Sequence, residues 1–211
     1  IQHRIRDWRR TLAVEQLSDE DALEVDPAGR RGLDAVAASL VPKETSRNQT
    51  EVFFARLLLG LDPEHATDDP WPNLTQVGEM LGVTRARISQ LLEKLRTPWQ
   101  RISHETGLAD AVHGIVTTLG GMAEATEVAR ALLATQGSAA IDPARTRQAI
   151  GVVRAVVESD LARGGDSRFA ARRMGGRVIL ALEPDDPDAP PADATLDWVK
   201  QLAEVADRLA A

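Results

Sequence analysis

The sequence predicts a mainly α-helical fold, in which a helix-turn-helix domain precedes a winged-helix-like unit with one β-hairpin and a C-terminal helix. Apolar residues recur every three or four positions through most of the chain, as on the buried face of a helix. Residues 74–93 carry the glycines and apolar positions of a helix-turn-helix, and Gly175-Gly176 separates two segments of strand-like composition. With 211 residues, 43% of them hydrophobic, the chain can bury a core.

Three helices are predicted ahead of the helix-turn-helix. Residues 1–13 and 33–40 both have apolar side chains at helical spacing. A third helix is predicted over 49–59, and Gly60 ends it because glycine readily adopts the positive φ found at helix C-termini. We expect these helices and the motif to form one domain over residues 1–105.

Residues 74–93 match a helix-turn-helix position by position. Gly78 lies where the second helix is expected to cross the first, so a larger side chain there would push the helices apart. Gly82 fills the turn, where positive φ is needed, and Thr84 is placed to cap the second helix with its hydroxyl. The small core between the two helices is expected to contain Val77, Leu81, Val83, Ile88 and Leu91.

The polar face of the second helix has the chemistry of a major-groove reader. Arginine can bind guanine bidentately and glutamine can bind adenine bidentately, while further basic residues suit phosphates. The alternative is a helix-turn-helix used only for packing or for contacts with proteins. The residues predicted to bind DNA on this helix are Thr84, Arg85, Ala86, Arg87, Ser89, Gln90, Lys94 and Arg96.

A winged-helix-like unit is predicted over residues 106–183. Helices are expected at 108–119, 123–135 and 143–161, and a hairpin with its tip at residues 174–176 follows them. This order is typical of a winged helix whose wing is the hairpin.

Arginines flank the predicted hairpin tip. Arg172, Arg173 and Arg177 are predicted to contact a nucleic-acid backbone. An ordinary edge hairpin, in which arginines protect the strand edge from aggregation, explains the same residues equally well.

The long helix predicted over 143–161 has two interpretations. Asp142 is its expected N-cap and Pro143 occupies its first position. Arg145 and Gln148 are polar groups suited to a recognition helix, but the length and apolar composition of the segment also fit a core helix.

The C-terminal part is expected to contain an acidic, proline-rich linker over 184–193 and an amphipathic helix over 194–211. The formal net charge of −7 argues weakly against a general nucleic-acid binder, but the basic residues are clustered. Outside the linker, acidic residues are concentrated in 15–26, whereas residues 85–101 are strongly basic.

Two tryptophans flank the helix-turn-helix. We expect Trp71 and Trp99 to cover its small core, which is too small to bury much surface by itself. The alternative, stacking on unpaired bases, lacks the further aromatic residues of a stacking platform, because aromatic residues make up 3% of the chain.

The helix ending in Gly60, together with the turn after Gly82, resembles region four of bacterial sigma factors. In that region a helix with a Gly-Leu end precedes a helix-turn-helix with a Gly-Val-Thr-Arg turn. The resemblance implies binding to double-stranded DNA, although the loop at 62–73 is longer and no sigma region two is recognisable. The matching residues are Leu57, Leu59, Gly60, Leu61, Gly82, Val83, Thr84, Arg85, Arg87, Ile88 and Gln90.

Four stretches carry a second resemblance: residues 74–96, 118–122, 145–148 and 172–178. Through them the chain resembles the region beyond the kinase domain of PglW-type serine/threonine kinases from phage growth limitation (BREX-like) systems. The resemblance implies a kinase-containing parent protein in an anti-phage pathway, and protein partners from that defence system.

The chain lacks signatures of catalysis. It has no kinase Gly-rich loop, His-Arg-Asp or Asp-Phe-Gly motif, no P-loop and no cysteine, and nothing in it predicts a cofactor or a metal site. No apolar run is long enough for a membrane span. We therefore expect a non-catalytic, cytoplasmic DNA-binding module excised from a longer chain. The alternative function is a protein-interaction or regulatory scaffold that does not bind DNA.

Overall fold

The computed structural model describes residues 32–62, 64, 69–186 and 188–210. The helix predicted over residues 1–13 and the acidic segment at 15–26 lie outside the described residues.

The described part of the chain is mainly helical and contains a small three-stranded sheet, as the sequence predicts at that level. A short 3-10 turn at Gly164–Asp166 joins the last core helix to the hairpin. In chain order the elements are α1 (Leu33–Leu40), α2 (Gln49–Leu58), α3 (Leu74–Leu81), α4 (Arg85–Glu105), α5 (Leu108–Thr118), β1 (Met122–Glu124), α6 (Ala125–Gln136), α7 (Ala144–Leu161), β2 (Phe169–Met174), β3 (Arg177–Leu182) and α8 (Ala192–Ala210).

Helix α4 extends nine residues beyond Arg96, the last residue on it that is predicted to bind DNA, and it continues through Pro98. The additional turns bury Trp99 and Ser103. The Trp99 indole donates a hydrogen bond of 2.7 Å to the Leu40 carbonyl at the end of α1. Contacts with a distant helix therefore extend α4 beyond the range that local apolar spacing predicts.

The predicted hairpin is confirmed, and a third strand joins it. Strands β2 and β3 pair antiparallel, and the two-residue turn between them has positive φ at both Gly175 (53°) and Gly176 (83°), as in a type I′ turn. Strand β1 pairs antiparallel on the other side of β3, so the strand order is β1-β3-β2.

The start of α6 differs from the prediction. We expected the helix to include Ala123, but Met122–Glu124 form strand β1 and the helix begins at Ala125. At the start of α6 the Glu127 carboxylate accepts a hydrogen bond from the Glu124 amide (3.2 Å). The strand depends on its pairing with β3, more than 50 residues later in the chain, so local sequence could not reveal it.

Helix α7 lies at the centre of the molecule. Twelve of its 18 residues are buried, and it packs against α1, α4, α5, α6 and β2. Gln148 is 8% exposed. Of the two interpretations of this helix, the core helix is therefore confirmed, and the interpretation of Arg145 and Gln148 as exposed groups of a recognition helix is wrong for Gln148.

The predicted N-cap of α7 is wrong by one residue. The helix is preceded by Pro143 in the cap position, without a side-chain cap hydrogen bond. The Asp142 carboxylate instead accepts hydrogen bonds from the Thr146 hydroxyl (2.6 Å) and from the Arg145 guanidinium (2.9 Å). Both groups lie in the first turn of α7, and each donates to a different oxygen of the carboxylate.

The hydrophobic core is continuous across the predicted boundary between residues 105 and 106. One cluster of buried side chains extends from Leu33 in α1 to Leu180 in β3 and includes residues from every helix between them. The two helices predicted to form a helix-turn-helix, α3 and α4, thus share their core with the sheet.

Helix α8 packs on the outer face of the hairpin, where Ala192 and Leu196 contact Ala170 and Ala181. The described residues between β3 and α8 lie outside any helix or strand, but α8 begins at Ala192, so the last two residues of the linker predicted over 184–193 belong to the helix. The Glu183 carboxylate accepts a hydrogen bond from the Ala192 amide (3.1 Å). No helix in the described ranges combines the length and hydrophobicity needed to cross a bilayer.

Candidate nucleic-acid interface

Helices α3 and α4 occupy the residues predicted to form a helix-turn-helix, and a short turn at Gly82 separates them. Asn73 and Gln76 close a capping box at the start of α3. Gly82 ends α3 in the left-handed conformation (φ 63°, ψ 30°), and the Thr84 hydroxyl caps α4 by accepting a hydrogen bond from the Arg87 amide at 3.3 Å. The expected roles of Gly82 and Thr84 are confirmed.

Close packing at Gly78 sets the distance between the two helices. A Cβ atom at this position would lie 3.2 Å from the Val83 carbonyl oxygen and 3.4 Å from a side-chain carbon of Ile88. This confirms the expectation that the second helix crosses close to Gly78. Of the five predicted core residues, Val77, Ile88 and Leu91 are buried, while Leu81 and Val83 are half-buried and pack against the same core.

The first turns of α4 present an exposed polar face. Arg85 and Arg87 form no ion pair with any carboxylate in the described part of the chain. The Arg87 guanidinium donates a hydrogen bond to the side-chain oxygen of Gln90 at 3.3 Å. The exposed residues of this face, called the recognition face below, are Thr84, Arg85, Ala86, Arg87, Ser89 and Gln90.

Two predicted DNA-binding residues farther along α4 differ in exposure and in how closely carboxylates pair with them. Lys94 is 58% exposed and lies 3.8 Å from the Glu51 carboxylate, a distance at which solvent screens the attraction strongly. Arg96 is 26% exposed and is held between Glu93 (3.0 Å) and Glu158 (3.2 Å). The charge of Arg96 is therefore compensated within the protein, and its side chain ties α4 to α7.

The three hairpin arginines contact three different parts of the protein. Arg172 pairs with Asp193 (3.2 Å) and Asp197 on α8. Arg173 pairs with Asp69 at 2.9 Å and donates a hydrogen bond to the Trp71 carbonyl. Arg177 is 71% exposed and lies 3.7 Å from Glu124, so the three arginines do not form one free basic surface.

A buried arginine that sequence analysis missed also positions the loop before α3. Arg154 is 2% exposed, donates a hydrogen bond of 2.8 Å to the Pro72 carbonyl, and lies 5.5 Å from the ring centre of Trp71. Burial lowers its pKa to about 10, although Glu158, 3.9 Å away, opposes the shift. An available signal was the run of apolar residues on every side of this position in α7, which indicates burial.

The two flanking tryptophans belong to the core. Trp71 is 9% exposed and Trp99 is fully buried. Both rings lie in the same buried cluster as Val77 and Ile88 of α3 and α4, and this burial leaves neither ring accessible for stacking on bases. Arg154 of α7 and Arg173 of the hairpin both contact Trp71. These contacts hold the residues just before α3 against α7 and the hairpin.

One curated protein shows clear similarity to this chain. The chain is 33% identical over 194 residues to a probable kinase, PglW, from Streptomyces coelicolor. The match covers 84% of this chain but spans 12% of the length of that protein. The resemblance to a region of PglW is thus confirmed, whereas the sigma-factor resemblance stays a prediction. No protein-family model and no solved structure matches the chain.

Proposed function

We propose that this chain is a non-catalytic module that binds double-stranded DNA through the recognition face. The observation that carries the proposal is an exposed, uncompensated pair of arginines, Arg85 and Arg87, on the capped first turns of the second helix of a helix-turn-helix. Helices in this position enter the major groove with their N-terminal residues against the base edges.

The side chains of the recognition face divide into two roles. Arg85 and Gln90 have the donor and acceptor groups to read guanine and adenine, respectively. Arg87 and Lys94 supply positive charge for phosphates, which position the protein without reading sequence. The side-chain oxygen of Gln90 accepts the hydrogen bond from Arg87 in the free protein, so this bond must break before the same oxygen can accept from the amino group of adenine.

The second unit has the element order helix, strand, helix, helix and hairpin over α5 to β3, which supports a winged-helix-like assignment. Its third helix, α7, is the central core helix and offers no free face to DNA. We propose that this unit serves mainly as the scaffold that orients α3 and α4. Arg177, the most exposed of the hairpin arginines, is the one best able to reach a phosphate.

In the full-length protein we propose a regulatory or targeting role within a larger anti-phage defence kinase. The match to the probable kinase PglW supports this placement, and the small share of that protein covered by the match leaves room for a separate kinase domain. Other proteins of such a system are the proposed protein partners.

Duplex selection followed by salt titration tests DNA binding. A preferred duplex is first selected from a randomised pool, and affinity is then measured by fluorescence anisotropy between about 50 and 200 mM salt. Arg85→Ala with Arg87→Ala should weaken binding at least tenfold, because a bidentate base contact contributes about 1–3 kcal/mol. The affinity of the unsubstituted chain should fall steeply with salt.

A matched control removes two exposed arginines elsewhere. Arg56→Ala with Arg130→Ala changes the net charge equally but alters α2 and α6, outside the recognition face. Its affinity should stay within about threefold of the unsubstituted chain, since only the long-range attraction is reduced. Equal losses in the two double variants, or no selection of any duplex, would reject the assigned face.

A second candidate function is binding to other proteins. The exposed apolar side chains near the end of α8 favour it, because isolated patches of this kind commonly mark interaction sites. These residues lie on a different element from the recognition face, so the two functions are compatible.

A further inference from the structure

The last helix carries large apolar side chains that no other described residue covers. Trp198 is 55% exposed, Leu202 68%, Val205 42% and Leu209 85%. Leu196 on the same helix is fully buried against the hairpin, so α8 is anchored by a different set of residues. The four exposed residues are called the apolar stripe below.

The apolar stripe has the spacing of a coiled-coil seam. Its members follow one another at intervals of four, three and four residues, which is the a/d pattern of a heptad repeat. At about 100° per residue the four side chains fall within an arc of roughly 60°, directed away from the face that carries Leu196. A narrow seam of this kind fits a groove on one partner helix.

The charges of α8 are kept off the apolar stripe. Asp197 pairs with Arg172 of the hairpin, and Lys200 lies 3.9 Å from Glu204 one turn later. Of the four positions that flank the stripe in the heptad pattern, Val199, Gln201 and Ala206 are uncharged and Arg208 is charged. Two copies of the stripe could therefore approach without like-charge repulsion at most flanking positions.

We propose that the apolar stripe pairs with the same stripe of a second copy of this chain to form a short two-helix coiled coil. Such pairing is isologous, the commonest symmetry of homodimers, and requires only a self-complementary surface. The polar side of α8 contains Asp193, Asp197 and Glu204 beside Lys200 and Arg208, which is poorly suited to an anionic membrane or to nucleic acid.

The small area of the apolar stripe limits the expected affinity of the dimer. Four side chains spread over less than two full heptads bury less than the ~1,600 Å² of a standard protein interface. We therefore expect a reversible dimer with a dissociation constant in the range of about 1–100 µM. The dimer is assayed without DNA, so this inference and the proposed DNA binding can fail separately.

Sedimentation velocity of the whole chain between about 1 and 500 µM tests the pairing. The unsubstituted chain should shift from monomer to dimer across this range, and Leu202→Glu should raise the dimer dissociation constant at least tenfold. Because Leu202 is already 68% exposed, this variant should keep the circular dichroism spectrum and thermal midpoint of the unsubstituted chain.

Lys200→Gln is the matched control, since it changes the net charge by the same amount on the outer side of α8. It should dimerise like the unsubstituted chain. The proposal is overturned if the unsubstituted chain stays monomeric at every concentration, or if Leu202→Glu dimerises as readily as Lys200→Gln. A second stripe variant, Val205→Glu, must repeat the loss.

Discussion

Gly151 in α7 lies directly against the backbone of Leu59, the residue that follows α2. A Cβ atom built on Gly151 would lie 2.3 Å from the Leu59 carbonyl oxygen, far closer than side-chain carbons approach a backbone. Gly60 contacts α7 one turn earlier, because its own Cβ would lie 2.9 Å from the Arg147 carbonyl oxygen. This crossing locks the segment before the helix-turn-helix onto the central core helix.

Gly151→Ala should therefore destabilise the protein by about 3 kcal/mol or more, because the clashing atoms belong to backbone and cannot relax as a flexible side chain would. Urea unfolding measures the change. The control is Gly114→Ala in α5, where the added methyl meets nothing within 4 Å. That variant should stabilise the protein by about 0.5–1 kcal/mol, as alanine normally does in a helix. Equal effects at the two glycines would contradict the close crossing.

Substitution at Gly82 tests the turn of the helix-turn-helix. The residue has φ 63°, and a Cβ there meets no atom within 4 Å, so backbone conformation alone sets the cost. Gly82→Ala should lower the free energy of unfolding by about 1–2 kcal/mol, and Gly82→Asn should cost less because asparagine tolerates the left-handed region. Thermal unfolding ranks the two variants. An alanine variant as stable as the unsubstituted chain would show that the turn adopts another conformation.

The hairpin arginines should differ in their effect on stability. Arg173→Ala removes the ion pair with Asp69 and the hydrogen bond to the Trp71 carbonyl, and should cost about 1–2 kcal/mol after allowance for solvent screening. Arg177→Ala removes only an exposed contact of 3.7 Å and should change stability by less than about 0.5 kcal/mol. Urea unfolding of both variants makes the comparison. The reverse order would mean that Arg173 does not hold the loop before α3.

Two aspartates should titrate at unusually low pH. The hydrogen bond from the Arg168 guanidinium lowers the pKa of Asp110 below 3.8, and the hydrogen bond from the Thr146 hydroxyl does the same for Asp142. Because the folded-state pKa lies below the unfolded value, each contributes stability above pH 3.8 that is lost as the pH falls through the folded pKa. Both carboxylates are solvent-exposed, so the effect on stability is small.

Carbon-13 NMR of the side-chain carboxyl groups measures both pKa values. Arg168→Gln should return the pKa of Asp110 towards 3.8 and leave that of Asp142 unchanged. A matching control, Thr146→Val, should do the opposite. If neither variant moves its own aspartate, the two hydrogen bonds do not exist in solution.

Much of the local structure could be predicted from sequence. The predictions agree within a residue or two with the ends of α1, α2 and α3. They also agree with the helix cap at Thr84 and with the two-glycine turn of the hairpin. Strand β1 and the extension of α4 past Arg96 could not be predicted, because each depends on a partner far away in the chain.

By itself, the sequence determined where the chain turns and where α3 and α4 begin, since capping groups and positive φ act over a few residues. Only the tertiary structure decided which arginines stay exposed and which are bound by other groups of the protein. Arg85 stays exposed, whereas Arg96, Arg154 and Arg173 bind groups 62, 82 and 102 residues away. The physical reason is that ion pairing and desolvation depend on neighbours in space, and those neighbours are set by the packing of the whole chain around α7.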